Sequence, residues 1–366
     1  MKPKWVSLSN SSDLFLYSAL QTDSQVNLIV LIRKNDIIRQ YLYCGFDSGD
    51  VQKGNLIVYS ESRSVEYEAA NIQCTLPLDS KYQIRKVFLF HPPTQSYTKY
   101  IKIETSELVN NDSVVLCVQP LSGTYYTSVD VLQFIAYYSI HGASKFYFYN
   151  QSITDEISRL LLKMNKVVEI LPWNILELLP NHQYGVTFWH YAQKAQIHDC
   201  LLRNQASVII NVDIDEYIVP LKAEDLKTYL IKQKKEDQTN LIIGSVLFPK
   251  RLNIDIGQNQ LKLFHHFYRT QLPWWHRSKV IALQPKFIKH QDIHIVMQHE
   301  PARMSTLVSA DTLLIYHYRE WGVLNDNMIN DTLMLKFKEK IVKFSHEYNR
   351  NIRQDFPRFI GFFLRL

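Results

Sequence analysis

Between residues 113 and 216, continuous apolar runs alternate with amphipathic stripes. No other feature of this 366-residue chain restricts its fold as tightly. SVVLCVQPL (113–121) is apolar throughout and ends just past a proline, as suits a central parallel strand buried on both faces. In the following segment, 128–142, Val131, Phe134, Ile135 and Tyr138 form a helical stripe, and Gly142 is placed to cap it. A strand at 144–151, a helix at 153–165, a strand at 167–173, a long helix at 183–204 and a strand at 206–216 are expected next. Strand and helix repeated in this way predict a parallel α/β sheet.

The flanks differ in character. Residues 1–110 hold short β-like runs such as VNLIVLI (26–32), separated by turn residues, and predict a β-rich N-terminal domain. Residues 111–330 then form the α/β domain, with a further helix running into a polar turn over 224–240 and strands at 241–250 and 312–320. Residues 331–366 read as a charged helix and an apolar tail.

A 46% hydrophobic content provides a substantial core. The 41 basic and 35 acidic side chains leave +6 with no dense basic tract, which argues against a nucleic-acid partner. No apolar window reaches the roughly 18 residues of a membrane span, so the chain reads as soluble. The amino terminus lacks the apolar centre of a signal peptide, which predicts either a cytoplasmic chain or a leader lying outside it. Cys44, Cys74, Cys117 and Cys200 are too dispersed for a clustered zinc site and read first as buried thiols. Asn10, Asn111, Asn150 and Asn330 begin Asn-x-Ser/Thr sites.

The apolar run into NVDIDEYIVP (211–220) carries three acids to the carboxyl end of a strand, the edge where open α/β sheets bind ligands. Strand alternation puts Asp213 and Asp215 on one face, with Ile214 and Glu216 on the other. Two adjacent carboxylates raise each other's pKa, and a magnesium or manganese ion relieves the repulsion. His317, in YHYR, is the expected third ligand, and His294 is its rival. Arg319 shares the His317 face and, like Lys279, suits a phosphate. Trp274 and Trp275 suit the flat face of an acceptor sugar. A phosphoaspartyl transferase fits poorly, because Glu216, Tyr217 and Ile218 follow the acids where that class has small residues.

CVQPL (117–121), HDCLLR (198–203), NVDIDEYIVP and YHYR (316–319) together resemble glycosyltransferase family 92. The resemblance runs from about residue 80 to 320, and its most specific block is D-I-D-E-Y-I-V-P. It implies a GT-A type α/β fold and an inverting transfer from a UDP-sugar, UDP-galactose being the best-known donor, to a glycan such as fucose on an N-glycan core. It also implies manganese on Asp213 and Asp215, with His317 matching the family's late histidine. Pro120 would lie by the nucleotide, and Asp199 would bind nucleotide or support helix–sheet packing. Golgi residence, membrane association and disulfides come from the resemblance alone. An inverting transfer requires a base on the acceptor hydroxyl. Asp292 and Glu300 are the candidates, with His294 behind them. A glycan-binding protein that keeps the fold without catalysis is the alternative.

Overall fold

The computed structural model describes residues 3–8, 14–34, 42–61, 64–77, 84–91, 95–96, 100–106, 112–183, 185–223, 225–249, 261–319 and 327–352. Asn10, Asn111 and the apolar tail lie outside the described residues.

The N-terminal region is built on an antiparallel sheet. Its main strands are β1 (Leu14–Thr22), β2 (Gln25–Arg33), β3 (Asn55–Tyr59) and β4 (Tyr67–Thr75), in the order β1-β2-β4-β3. A smaller sheet, including Tyr43–Phe46 and Lys86–His91, covers its outer face. The alternating units follow: β5 (Val114–Ser122), α1 (Ser128–Ile140), β6 (Lys145–Ser152), α2 (Asp155–Lys163), β7 (Val168–Pro172), α3 (Gln193–Arg203) and β8 (Val208–Val212). The later strands are β9 (Glu216–Pro220), β10 (Gln238–Pro249), β11 (Trp274–Ala282) and β12 (Leu313–Arg319), with α4 (Leu226–Lys232) after β9. The large sheet runs β7-β6-β5-β8-β11-β10-β12-β9. Its first four strands are parallel; β11 then pairs antiparallel with both β8 and β10. The chain is therefore mixed α/β with several sheets and a β-rich N-terminal stretch.

Period-two alternation explains the layering. Val114, Leu116 and Val118 of β5 join the core under α1 and α2, together with Phe146, Phe148, Val208 and Ile210. Val115 and Cys117 point the other way, with Tyr147, Tyr149 and Ile209, into a core shared with α3 and the N-terminal sheet. Phe15, Tyr17, Ile29, Leu31, Tyr59 and Tyr67 line that sheet's side of it. Thr127 and Asp130 close a capping box at the start of α1, and Gly142 ends it with φ of 88°.

Three expected elements are shorter or differently built. The helix expected over 183–204 begins only at Gln193, because neighbouring layers take the backbone groups before it. Glu66 N–H donates to the Val186 carbonyl (2.7 Å), Tyr67 N–H to Thr187 (2.9 Å), and the Trp173 indole to Tyr191 (2.7 Å). His190, Tyr191 and Ala192 take φ of 43°, 53° and 61°. Left-handed backbone costs L-residues about 1–2 kcal/mol each, so these contacts hold a strained turn in place. The helix expected to run into a polar turn over 224–240 spans only Leu226–Lys232 before that turn. The one expected from 331 opens as a 3₁₀ turn, Leu333–Phe337, before the α-helix Lys338–Ile352. Asp331 fixes that start by accepting from Leu333 N–H (2.9 Å), Arg269 (2.6 Å) and the Tyr316 hydroxyl (2.6 Å).

The cysteines are paired, in place of the buried thiols first expected. Cys44–Cys74 joins the two N-terminal sheets, and Cys117–Cys200 joins β5 to α3. Asp199, fully buried beside the second pair, accepts from Ser18 Oγ (2.6 Å), Tyr149 Oη (2.7 Å), Arg203 Nη2 (2.8 Å) and Arg203 Nε (3.0 Å). Arg203 also reaches Glu104 at 2.7 Å. One carboxylate thus ties the N-terminal sheet, α3 and β6 together. Asp199→Ala would strand the buried Arg203 guanidinium and should cost about 3–5 kcal/mol, read as a lower urea midpoint.

Candidate active site

β5 and β8 lie side by side, but the chain leaves β5 toward β6 and β7 and returns on the other side as β8. Such a switch in direction leaves a crevice at the carboxyl ends of the two strands. A cleft of about 860 Å³ opens there, lined by Pro120 from β5 and by the acids after β8.

The acids do not continue the strand. β8 ends at Val212, and the Asp213 carbonyl accepts the Glu216 N–H at 3.1 Å, closing a turn. Asp213 and Glu216 consequently face each other, contrary to the alternation expected of a strand. The Asp213 N–H donates to Glu216 Oε2 at 3.0 Å. Lys279 of β11, 2% exposed, lies 3.1 Å from Asp213 Oδ2 and 2.9 Å from Glu216 Oε2. Burial works against the Lys279 charge, but the two carboxylates outweigh it and raise its pKa. Burial likewise pushes Glu216 up, while Lys279 and then His317 pull it below the ordinary carboxylate value.

Asp215 turns the other way. Its Oδ2 lies 3.5 Å from His317 Nε2, and the ring's Nδ1 lies 3.5 Å from Glu216 Oε1. Cross-strand pairing of Glu216 with His317 between β9 and β12 sets this arrangement. Asp215 Oδ1 is buried without a hydrogen-bond partner among the described residues. A carboxylate oxygen needing a partner, beside an imidazole backed by a second carboxylate, is a donor set that fits a divalent cation. Asp215 and His317 make that set, while Asp213 is held by Lys279. No group of three or more His, Cys, Asp or Glu forms a ready-made cage among the described residues. Such a cation would have to complete its shell with ligand and water oxygens, as magnesium and manganese commonly do.

Asp292, Arg319 and His294 also line the cleft, so the structure brings together Pro120, Asp213, Asp215, Lys279, Asp292, His317 and Arg319. His294 Nδ1 meets the Ser278 carbonyl at 2.5 Å, leaving Nε2 as the acceptor. Burial, then Lys279, lowers its pKa. Two expected residues stand apart. Glu300 pairs with Lys289 (3.0 Å) outside the cleft lining, and Asp199 serves the interlayer network. Of the two tryptophans, Trp275 lines the cleft; Trp274 stacks on His276 at 5.2 Å.

Several cleft residues had escaped sequence reasoning: Tyr126, Trp189, Lys194 and Glu61. Burial and the charges of Asp215 and Asp213 hold the Tyr126 phenol protonated far above its ordinary pKa. None of the four carries a local signal that marks it for the cleft; Lys194 is one of several polar positions in its helix.

Lys279→Met would leave Asp213 and Glu216 to share a turn without their cation, at an expected cost of about 3–5 kcal/mol at neutral pH. The pH dependence follows from the sign of the Glu216 shift. In the unaltered chain its depressed pKa contributes stability that is present above the ordinary carboxylate value and lost on acidification. Without Lys279, burial dominates and raises that pKa, so the variant's deficit should be largest near pH 7 and shrink below about pH 4, as followed by urea unfolding across pH.

The chain is 24% identical over 282 residues to the β-1,4-galactosyltransferase galt-1 of Caenorhabditis elegans, covering 73% of this chain and 64% of that protein. It thus spans just under two thirds of that relative's length. Among solved structures, S. aureus TarS 1–349 aligns with a TM-score of 0.29 at 12% identity, over 67% of this chain and 73% of that one. Amylomaltase from Corynebacterium glutamicum gives a TM-score of 0.16 at 10% identity, over 36% and 20%. Both scores are too low to define a shared fold. The family model for glycosyltransferase family 92 matches residues 112–358, a stretch holding every cleft-lining residue except Glu61. With two thirds of its length and nearly all of its cleft inside that match, the chain belongs to glycosyltransferase family 92.

Proposed function

We propose that this chain is a metal-dependent inverting glycosyltransferase of GT-A type. It moves a hexose, galactose by likeness to the nematode relative, from a UDP-sugar to a glycan acceptor such as fucose on an N-glycan core. The observation that carries this reading is the Asp215–His317 pair beside the Lys279-held turn, at the switch point of the parallel sheet. Asp215 and His317 would hold manganese, or magnesium, with Asp213 on the same edge. When bound, the ion neutralises charge on the diphosphate.

The chain's own residues have distinct parts. Pro120 shapes the nucleotide side at the end of β5. Arg319, the last residue of β12, is suited to a phosphate oxygen. Tyr126 stays protonated and can donate a hydrogen bond into the cleft. Trp275 and Tyr125, both exposed at the rim, offer flat apolar faces to the acceptor sugar. In the transfer, the acceptor oxygen bonds to the anomeric carbon. The bond from that carbon to the diphosphate breaks, with its electron pair leaving on UDP, and a carboxylate on the acceptor side takes the proton. Of Asp292 and Glu300, only Asp292 reaches the cleft. The two disulfides support an oxidising compartment, in keeping with the Golgi lumen. No helix among the described residues is long and apolar enough to cross a membrane.

Isothermal titration with UDP, with and without manganese, tests the reading. Manganese should tighten binding, and Asp215→Asn or His317→Ala should each cost at least tenfold in manganese-dependent affinity, the loss typical when even a supporting residue of a metal site is removed. Binding indifferent to both metal and mutation would overturn the metal assignment and favour a glycan-binding protein.

A further inference from the structure

Glu61 is the cleft residue that lies ahead of the family-matched stretch, just past β3 of the N-terminal sheet. Its place is closely determined. The Glu61 N–H donates to Glu68 Oε1 at 3.2 Å, and its Oε2 lies 3.3 Å from Lys194 Nζ. Lys194, on α3 and 2% exposed, also donates to the Ser60 carbonyl at 2.6 Å and pairs with Asp292 Oδ2 at 2.9 Å. One buried ammonium therefore joins an acid just past the N-terminal sheet to an acid of the hairpin formed by the antiparallel strands Ile288–Gln291 and Val296–His299, at the wall of the cleft. Two carboxylates share a single cation, which leaves one negative charge in surplus.

The two acids differ in what occupies them. Asp292 uses Oδ2 on Lys194 and Oδ1 on the Ile293 N–H, at 2.6 Å. Glu61 Oε1 accepts no hydrogen bond among the described residues. We propose that Glu61 is the carboxylate that takes the acceptor's proton, with Lys194 and Asp292 positioning it, so that the N-terminal sheet belongs to the catalytic unit. This rests on the transferase reading above. The acceptor oxygen gains its bond to the anomeric carbon, UDP leaves with the electron pair, and the hydroxyl proton passes to Glu61.

The surroundings suit that task. Burial raises the Glu61 pKa; Lys194 opposes the rise, and Asp292 and Glu68 add to it. A carboxylate raised toward working pH is a better match for a hydroxyl proton. The charged and titratable groups facing it are Lys194 of α3, Asp292 and His290 of the hairpin, and Glu68 with its partner Lys34 on the N-terminal side.

The experiment compares the unaltered chain with Glu61→Gln, Glu61→Asp and Asp292→Asn, using UDP-galactose, manganese and a fucosylated N-glycan core. Transfer is followed across pH and UDP binding by titration. Glu61→Gln should lower kcat about 10²–10⁴-fold, the usual worth of a positioned base, with UDP affinity kept. It should also erase the acidic limb of the pH profile. Glu61→Asp should recover part of the rate with that limb moved to lower pH, and Asp292→Asn should retain a limb, likewise displaced to lower pH because a neighbouring negative charge is gone. Three results would overturn the role: Glu61→Gln within tenfold of the unaltered rate, loss of UDP binding in that variant, or an acidic limb that vanishes with Asp292→Asn instead. If the unaltered chain neither binds UDP nor transfers, the transferase reading falls and this role with it.

Discussion

Asp213, Asp215 and Glu216 would repel one another at the end of a buried strand, and each would resist ionising there. The Lys279 ammonium removes that conflict for two of them. Because it comes from β11, the strand beside β8, the sheet order itself delivers the cation to the turn. With Asp213 and Glu216 both held on Lys279, Asp215 is left to face His317 with one oxygen unsatisfied. The division of labour among three adjacent acids thus follows from where one lysine lies. The buried ion pairs are poor evidence for net stability, since desolvation offsets much of their attraction. Their value here is in fixing which carboxylate keeps an oxygen without a partner among the described residues.

A similar arrangement recurs between layers. Asp199 and Lys194 both lie on α3, five residues apart in the chain, and each collects groups from the N-terminal sheet. Asp199 gathers Ser18 and, through Arg203, Glu104; Lys194 gathers Ser60 and Glu61. Together with the aromatic core around Tyr17, Tyr59 and Trp173, they make the N-terminal sheet a layer of the α/β unit. The left-handed turn at 190–192 belongs to the same interface: Glu66 and Tyr67 hold the backbone just ahead of it at Val186 and Thr187, and the Trp173 indole donates to Tyr191 within it.

The large sheet was legible because its signals are local. Apolar runs gave β5, β6, β7 and β8, stripes gave α1 and α2, and the switch in direction put Pro120 and the acids at one edge. Lys279, Asp292, His317 and Arg319 were placed near that edge and do share the cleft. The misreadings have one physical origin. The helix expected at 183–204 looked sound by periodicity, yet hydrogen bonds from distant strands unwound its first half. Asp213 and Glu216 were assigned opposite faces because nothing within ten residues reveals the turn that Lys279 closes. Glu300 had the right chemistry, but its partner Lys289 engages it elsewhere, while Asp199 takes the helix–sheet support of its two expected parts, tied to Arg203. Glu61 had no local signal at all, its nearest cation being 133 positions away in the chain.

The disulfides add a constraint in time. Cys44 and Cys74 are 30 residues apart and both leave the ribosome before the α/β stretch begins, so the N-terminal sheets can be crosslinked early. Cys117 must wait 83 residues for Cys200, by which point β5, α1, β6, α2 and β7 have all been synthesised. If Cys44 and Cys74 have closed by then, Cys117 has no other free cysteine to meet until Cys200 emerges. In that order of events, vectorial synthesis favours the native pairing over its alternatives.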